Sequence, residues 1–122
     1  MKIILTITAL LFAAHTYAGF TNHYQVNVNT GSRTAYGSFI GARDSADPTQ
    51  YFYCAYVGTT ANPYGICGAR NSAGVSAYCR TSQAHHVEQI RGLSNESYIY
   101  MQWDASGNCT YIYSSTGSQY HQ

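Results

Sequence analysis

His85, His86 and Glu88 form the most metal-like cluster in this chain. Consecutive histidines on a helix diverge by about 100°, so the pair is poorly placed to share one ion. His85 and Glu88 can offer two ligands, and a third would have to come from His23 or His121. The cluster reads as a solvated helix face, and neither metal nor cofactor is expected. Hydrolytic chemistry has less to draw on, because no Gly-x-Ser-x-Gly elbow is present. Of the five acids, Asp44, Asp47 and Asp104 sit in turn sequences where an Asx side chain already bonds the backbone, leaving only Glu88 and Glu96. Four cysteines, Cys54, Cys67, Cys79 and Cys109, are spaced by 13, 12 and 30 with no C-x-x-C pair, which disfavours zinc and redox motifs. Once oxidised to disulfides they supply no nucleophile. No catalytic residue is assigned, and the chain is read as a non-enzyme. Arg43 and Arg70 occupy equivalent places in an internal repeat. A guanidinium there can bind an acidic ligand or stack on a tyrosine, but the first expectation is a bond to a turn carboxylate such as Asp44 or Asp47.

Short strands and turns must carry these side chains. "HYQVNVN" (His23 to Asn29) alternates polar and apolar residues, as a half-buried strand does. "GARDSADPTQYFYC" and "GARNSAGVSAYC" repeat one pattern, read as strand, Asx-Ser-Ala turn, strand. "SQAHHVEQIRG" is the single helix candidate, about 82–92, with Thr81 or Ser82 as cap, Val87 and Ile90 as its apolar stripe, and Gly92 as a left-handed stop. A third hairpin, "ESYIYMQWDASGNCTYIYSS", turns at Asp104 to Gly107. With Trp103 facing Asn108, Tyr98 lies opposite Tyr113, Tyr100 opposite Tyr111, and Gln102 opposite Cys109. Ile99, Met101, Trp103 and Ile112 then make an aliphatic and indole face, and the tyrosines make the other. Because Cys109 falls on the tyrosine face and half-cystines are usually buried, that face is expected to be further core; the alternative is a surface kept for a ligand. The fold class that results is all-β: a small disulfide-stapled sandwich of three hairpins plus an N-terminal strand, with one short helix. Spacing leaves three disulfide pairings open. The expected ones are Cys67–Cys79, which flank one turn, and Cys54–Cys109, which tie the first repeat to the last hairpin.

The first eighteen residues read as a signal peptide: Lys2, an apolar run from Ile3 to Ala14, then Thr16-Tyr17-Ala18. Twelve apolar residues would span only ~18 Å as a helix, too little for a bilayer, and no later stretch is more apolar. One domain, 19–122, is expected after cleavage, without a membrane span, secreted to the medium or the periplasm. Its five arginines balance its five acids. Lacking the clustered cations that release counterions from phosphates, it is not expected to bind nucleic acid. A domain of this size buries only roughly 60–70% of its chain surface, so staples matter.

The stretches "GSFIGARDSADPTQYFYC", "CGARNSAG" and "SYIYMQWDASGNCTYIY" resemble those of a loose group of short exported bacterial proteins. These share an Ala-Arg-x-Ser-x-Asp-x-x-Gln-Tyr-x-x-Cys segment and a closing Trp-Asp-x-x-Gly-x-Cys-Thr hairpin. The resemblance covers roughly Gly37 to Tyr120; the group often ends Ser-x-Tyr-x-Pro-Lys, where this chain has Ser118-Gln119-Tyr120-His121-Gln122. It implies an exported bacterial β-domain and carries over no catalytic residue. The leading functional expectation is a small secreted binding module for a cell surface or a glycan, with Tyr98, Tyr100, Tyr111 and Tyr113 as contacts. The alternatives are a structural or interaction protein of an envelope or matrix, and a small effector, toxin or inhibitor acting on another protein.

Overall fold

The structure, a computed structural model, describes residues 19–121. The leader expected over residues 1–18 lies outside the described residues. Seven strands are present: β1 (Asn27–Asn29), β2 (Thr34–Ser38), β3 (Tyr51–Val57), β4 (Tyr64–Arg70), β5 (Ser76–Thr81), β6 (Ser97–Trp103) and β7 (Cys109–Thr116). They form two antiparallel sheets, one ordered β1-β2-β6-β7 and the other β3-β4-β5. Helices α1 (Phe39–Arg43) and α2 (Ala84–Arg91) and a 3-10 turn (Ser118–Tyr120) complete the elements of the described residues. The all-β, disulfide-stapled class read from the sequence is what is found.

Period-two side chains explain how the sheets stack. Ala35, Ile99, Met101 and Ile112 line the inner face of the four-stranded sheet, and Phe52, Cys67, Ala69 and Cys79 line that of the three-stranded sheet. The two sulfurs of Cys79 and Met101 lie 3.8 Å apart where the layers touch. Helix α2 turns Val87 and Ile90 inward, at the expected place. Its cap differs: Gln83 makes no side-chain bond, Thr81 Oγ1 accepts from the Gln83 N–H at 3.2 Å, and Gly92 stays right-handed at φ −83°. The N-terminal strand is shorter than His23 to Asn29, since only Asn27–Asn29 pairs with β2.

The first repeat copy is not a hairpin. Its Gly-Ala-Arg belongs to α1, whose start is capped by Ser38 Oγ accepting from the Gly41 N–H at 2.9 Å. In the second copy the same tripeptide is strand β4, and its turn needs Gly74 in the left-handed region, φ +85°. The third hairpin repeats that turn with Gly107 at φ +83°. In both, the Asx side chain (Asn71 or Asp104) accepts from the N–H four residues on. The first copy has Asp47 where the second has Gly74, followed by Pro48. A side chain resists the left-handed conformation, so this copy cannot close the same turn. Asp47 instead accepts from the Thr49 and Gln50 N–H groups, both at 2.9 Å, and Gln50 Oε1 accepts from Val26 N–H at 2.8 Å, docking the loop on the N-terminal segment.

All four cysteines are bonded, but in other pairs than expected: Cys54–Cys67 and Cys79–Cys109. Cys54, Cys67 and Cys79 form one row across the three-stranded sheet, so Cys67 has a cysteine on both sides. Its bond to Cys54 leaves Cys79 to reach Cys109, joining the two sheets. Among the described residues no helix is long and apolar enough to cross a membrane.

Candidate functional site

The β6–β7 hairpin builds the site. Its turn leaves Asp104 and Asn108 paired through Asp104 N–H to Asn108 O at 3.0 Å, one residue tighter than a Trp103–Asn108 closure. Trp103 then faces Cys109, while Gln102 faces Tyr111, so Thr110 is an extra residue on β7. Past this bulge Tyr100 lies opposite Tyr113 and Tyr98 opposite Ser115, not opposite Tyr111 and Tyr113. The slip is by two, which preserves faces. Tyr98, Tyr100, Tyr111 and Tyr113 therefore do share one side, as expected.

Cys109 does not share it. The bulge rotates Cys109 to the core face, where it is 6% exposed. The expectation that the tyrosine face is further core falls with that placement. Tyr111 and Tyr113 are 48% and 47% exposed, and Tyr98 and Tyr100 are half-buried. The face is the outside of the four-stranded sheet.

Three further tyrosines join it. Tyr36 lies opposite Tyr100 on β2, its ring stacked on Tyr100 at 6.1 Å. Tyr24, in the segment before β1, meets Tyr98 edge-on at 4.9 Å, and Tyr120 stacks on Tyr98 at 6.0 Å. Tyr98 also touches Tyr113 at 6.1 Å, and Tyr100 touches Tyr111 at 6.0 Å. Burial first, and then the neighbouring hydroxyls of Tyr36, Tyr24, Tyr120 and Tyr100, push the Tyr98 phenol up to about 12. It stays neutral and donor-competent throughout ordinary conditions. Gln102 Nε2 donates to the Tyr100 hydroxyl at 3.1 Å. The patch is thus a ring platform fringed with hydroxyls and one carboxamide, with no charged side chain on β6 or β7 inside it. The alternation of "TAYGS" was the available signal for Tyr36; nothing local marks Tyr24 or Tyr120, which reach the site through long-range packing.

The other candidates are placed elsewhere. His85 and His86 adjoin at 4.2 Å between rings, but His86 turns inward to Thr81 Oγ1 at 3.2 Å while His85 is exposed. Burial, then His85, lowers the His86 pKa below its usual 6.5. Among the described residues, no three His, Cys, Asp or Glu side chains gather as a metal site. Asp47 and Asp104 have lowered pKa values, held by Gln50 and by the Asn108 N–H respectively. Both carboxylates serve turns. Arg70 does not bond an acid: its Nε donates to the Thr49 carbonyl at 2.7 Å and its guanidinium lies over Tyr51. A concavity of about 580 Å³ between α1 and β3, lined by Arg43, Tyr51, Tyr53 and Asn95 among others, lies away from the tyrosine platform. Comparison with protein families, with curated proteins and with solved structures finds no match to this chain.

Proposed function

We propose that this protein is a small secreted binding module, without catalysis of its own, that holds a glycan on the outer face of its four-stranded sheet. The observation that carries this reading is the exposure of Tyr111 and Tyr113 beside Tyr98 and Tyr100. Folding alone does not require six rings to be gathered on the solvent side of so small a domain, with the buried Tyr120 ring stacked on Tyr98. Tyrosine presents rigid area at low entropic cost, and its hydroxyl stays wet. The C–H faces of a sugar ring pack on such rings while its hydroxyls find the phenol groups and Gln102. Disulfides persist in oxidising compartments, which supports export as read from the leader.

A glycan array probed with the tagged protein and with a Tyr111→Ala/Tyr113→Ala variant tests this. The wild type is expected to retain a defined set of sugars that the double variant loses by about tenfold or more, while the variant stays folded with a melting temperature lowered by about 10 °C. An array silent for the wild type, or one on which both proteins bind alike, overturns the reading.

A further inference from the structure

We infer that the opposite side of the sandwich, the outer face of the three-stranded sheet, is a second binding surface, and that it takes a linear polyuronate. Strand alternation puts Tyr51, Arg70 and Ser76 in one row of this face, Tyr53, Gly68 and Tyr78 in the next, and Ala55, Ile66 and Arg80 in a third. The middle row is a second aromatic platform. Tyr53 is 45% and Tyr78 65% exposed. The Tyr53 ring reaches across Gly68, where any Cβ would collide with it. A side chain at Gly68 would lift that ring off the sheet.

The rows on either side carry guanidiniums. Arg80 sits 3.7 Å above the Tyr64 ring, and Arg70 sits 4.6 Å above the Tyr51 ring. Stacking occupies the flat of a guanidinium and leaves edge N–H groups to meet a carboxylate: the whole edge in Arg80, and in Arg70, whose Nε donates to the Thr49 carbonyl, the terminal Nη groups. No residue of these rows is acidic, and the ion pairs of the described residues lie elsewhere, at Arg91–Glu88 and His121–Glu96. The two cations are four residues apart along the strands, ~13 Å. One carboxylate cannot satisfy both. A chain bearing a carboxylate on successive rings can, with its sugar faces on Tyr53 and Tyr78 between them. Single-stranded nucleic acid also stacks and carries repeated charge, but its affinity comes from neutralising many phosphates, and this face supplies two cations.

The opposite tyrosine platform carries no cation, so the two faces can be tested separately. Binding of polygalacturonate is measured by calorimetry, beside its fully methyl-esterified form, monomeric galacturonate and an oligothymidylate. Polygalacturonate is expected to bind and to weaken as salt is added. The ester and the monomer are expected to bind at least about tenfold more weakly. Arg80→Gln and Tyr78→Ala each should lower affinity about fivefold, as one partly exposed contact does. Among the described residues neither side chain makes a hydrogen bond, and Tyr78 is 65% exposed, so folding is spared. The Tyr111→Ala/Tyr113→Ala variant should bind polygalacturonate as the wild type does, whatever becomes of the neutral glycan. No binding, equal binding of the ester, an unaffected Arg80→Gln variant, or tighter binding of the oligothymidylate overturns the inference.

Discussion

Tyr111 and Ile112 are consecutive on β7 and face opposite ways, so truncating each in turn measures which side of the hairpin is core. Ile112 is 7% exposed and packs with Ile99 and Met101. Cutting it to alanine removes buried methyl groups and leaves a cavity between two sheets that cannot readily collapse, at about 3 kcal/mol. Tyr111 is 48% exposed, and its ring touches one other, Tyr100, edge-on at 6.0 Å. Its truncation forfeits one aromatic pair and part of its contact area, about 1 kcal/mol. In a domain of this size those costs correspond to melting-point drops on the order of 15 °C and 5 °C. Urea unfolding of the three proteins gives the free energies directly, provided the slopes agree. A Tyr111→Ala loss equal to that of Ile112→Ala would place the ladder in the core and refute the assignment of the outer face.

Tryptic digestion without reduction should release the 44–70 fragment closed on itself by Cys54–Cys67, and the 71–80 fragment joined to 92–122 by Cys79–Cys109; a 44–70 fragment joined to either of the others contradicts the pairing. Removing Cys79–Cys109, which closes a separation of 30 residues, with paired serines should cost ~3–4 kcal/mol in denaturant unfolding, and a change below ~1 kcal/mol contradicts its role as a staple. Because burial lowers the His86 pKa, the unfolded chain takes up that proton first. The stability contributed by the neutral ring is complete above about pH 6.5 and declines as pH falls below it, so His86→Gln should flatten the stability profile between about pH 8 and pH 5; an unchanged slope contradicts this. Gly107→Ala forces a side chain into φ +83° and should cost about 1 kcal/mol, seen as an earlier urea midpoint.

Much of the fold was legible because it is written locally. Alternation marks β6 and β7, the apolar pair Val87 and Ile90 marks α2, and two Asx-x-x-Gly turns mark the hairpins they close. The first repeat misled because Gly-Ala-Arg fits a helix and a strand equally, and the choice is made outside it, by the Ser38 cap and by Asp47 standing where a turn would need glycine. The disulfides could not be read from spacing, since Cys67 lies between Cys54 and Cys79 in one row. As for the site, the four tyrosines were visible as a face. Whether that face was wet depended on the bulge at Thr110, which no residue type announces and which carries Cys109 to the other side. Tyr36 enters through the β2–β6 pairing, a contact across more than sixty residues of chain.

The direct test of the tyrosine platform is an NMR titration of protein labelled in its tyrosine rings, using a soluble oligosaccharide chosen from the array. The ring signals of Tyr100, Tyr111 and Tyr113 are expected to shift together along one binding curve, while Tyr51, Tyr53 and Tyr78 on the far sheet stay still. Shifts confined to the far sheet, or none in the Tyr100, Tyr111 and Tyr113 rings at saturation, would contradict the placement of a glycan on the four-stranded face.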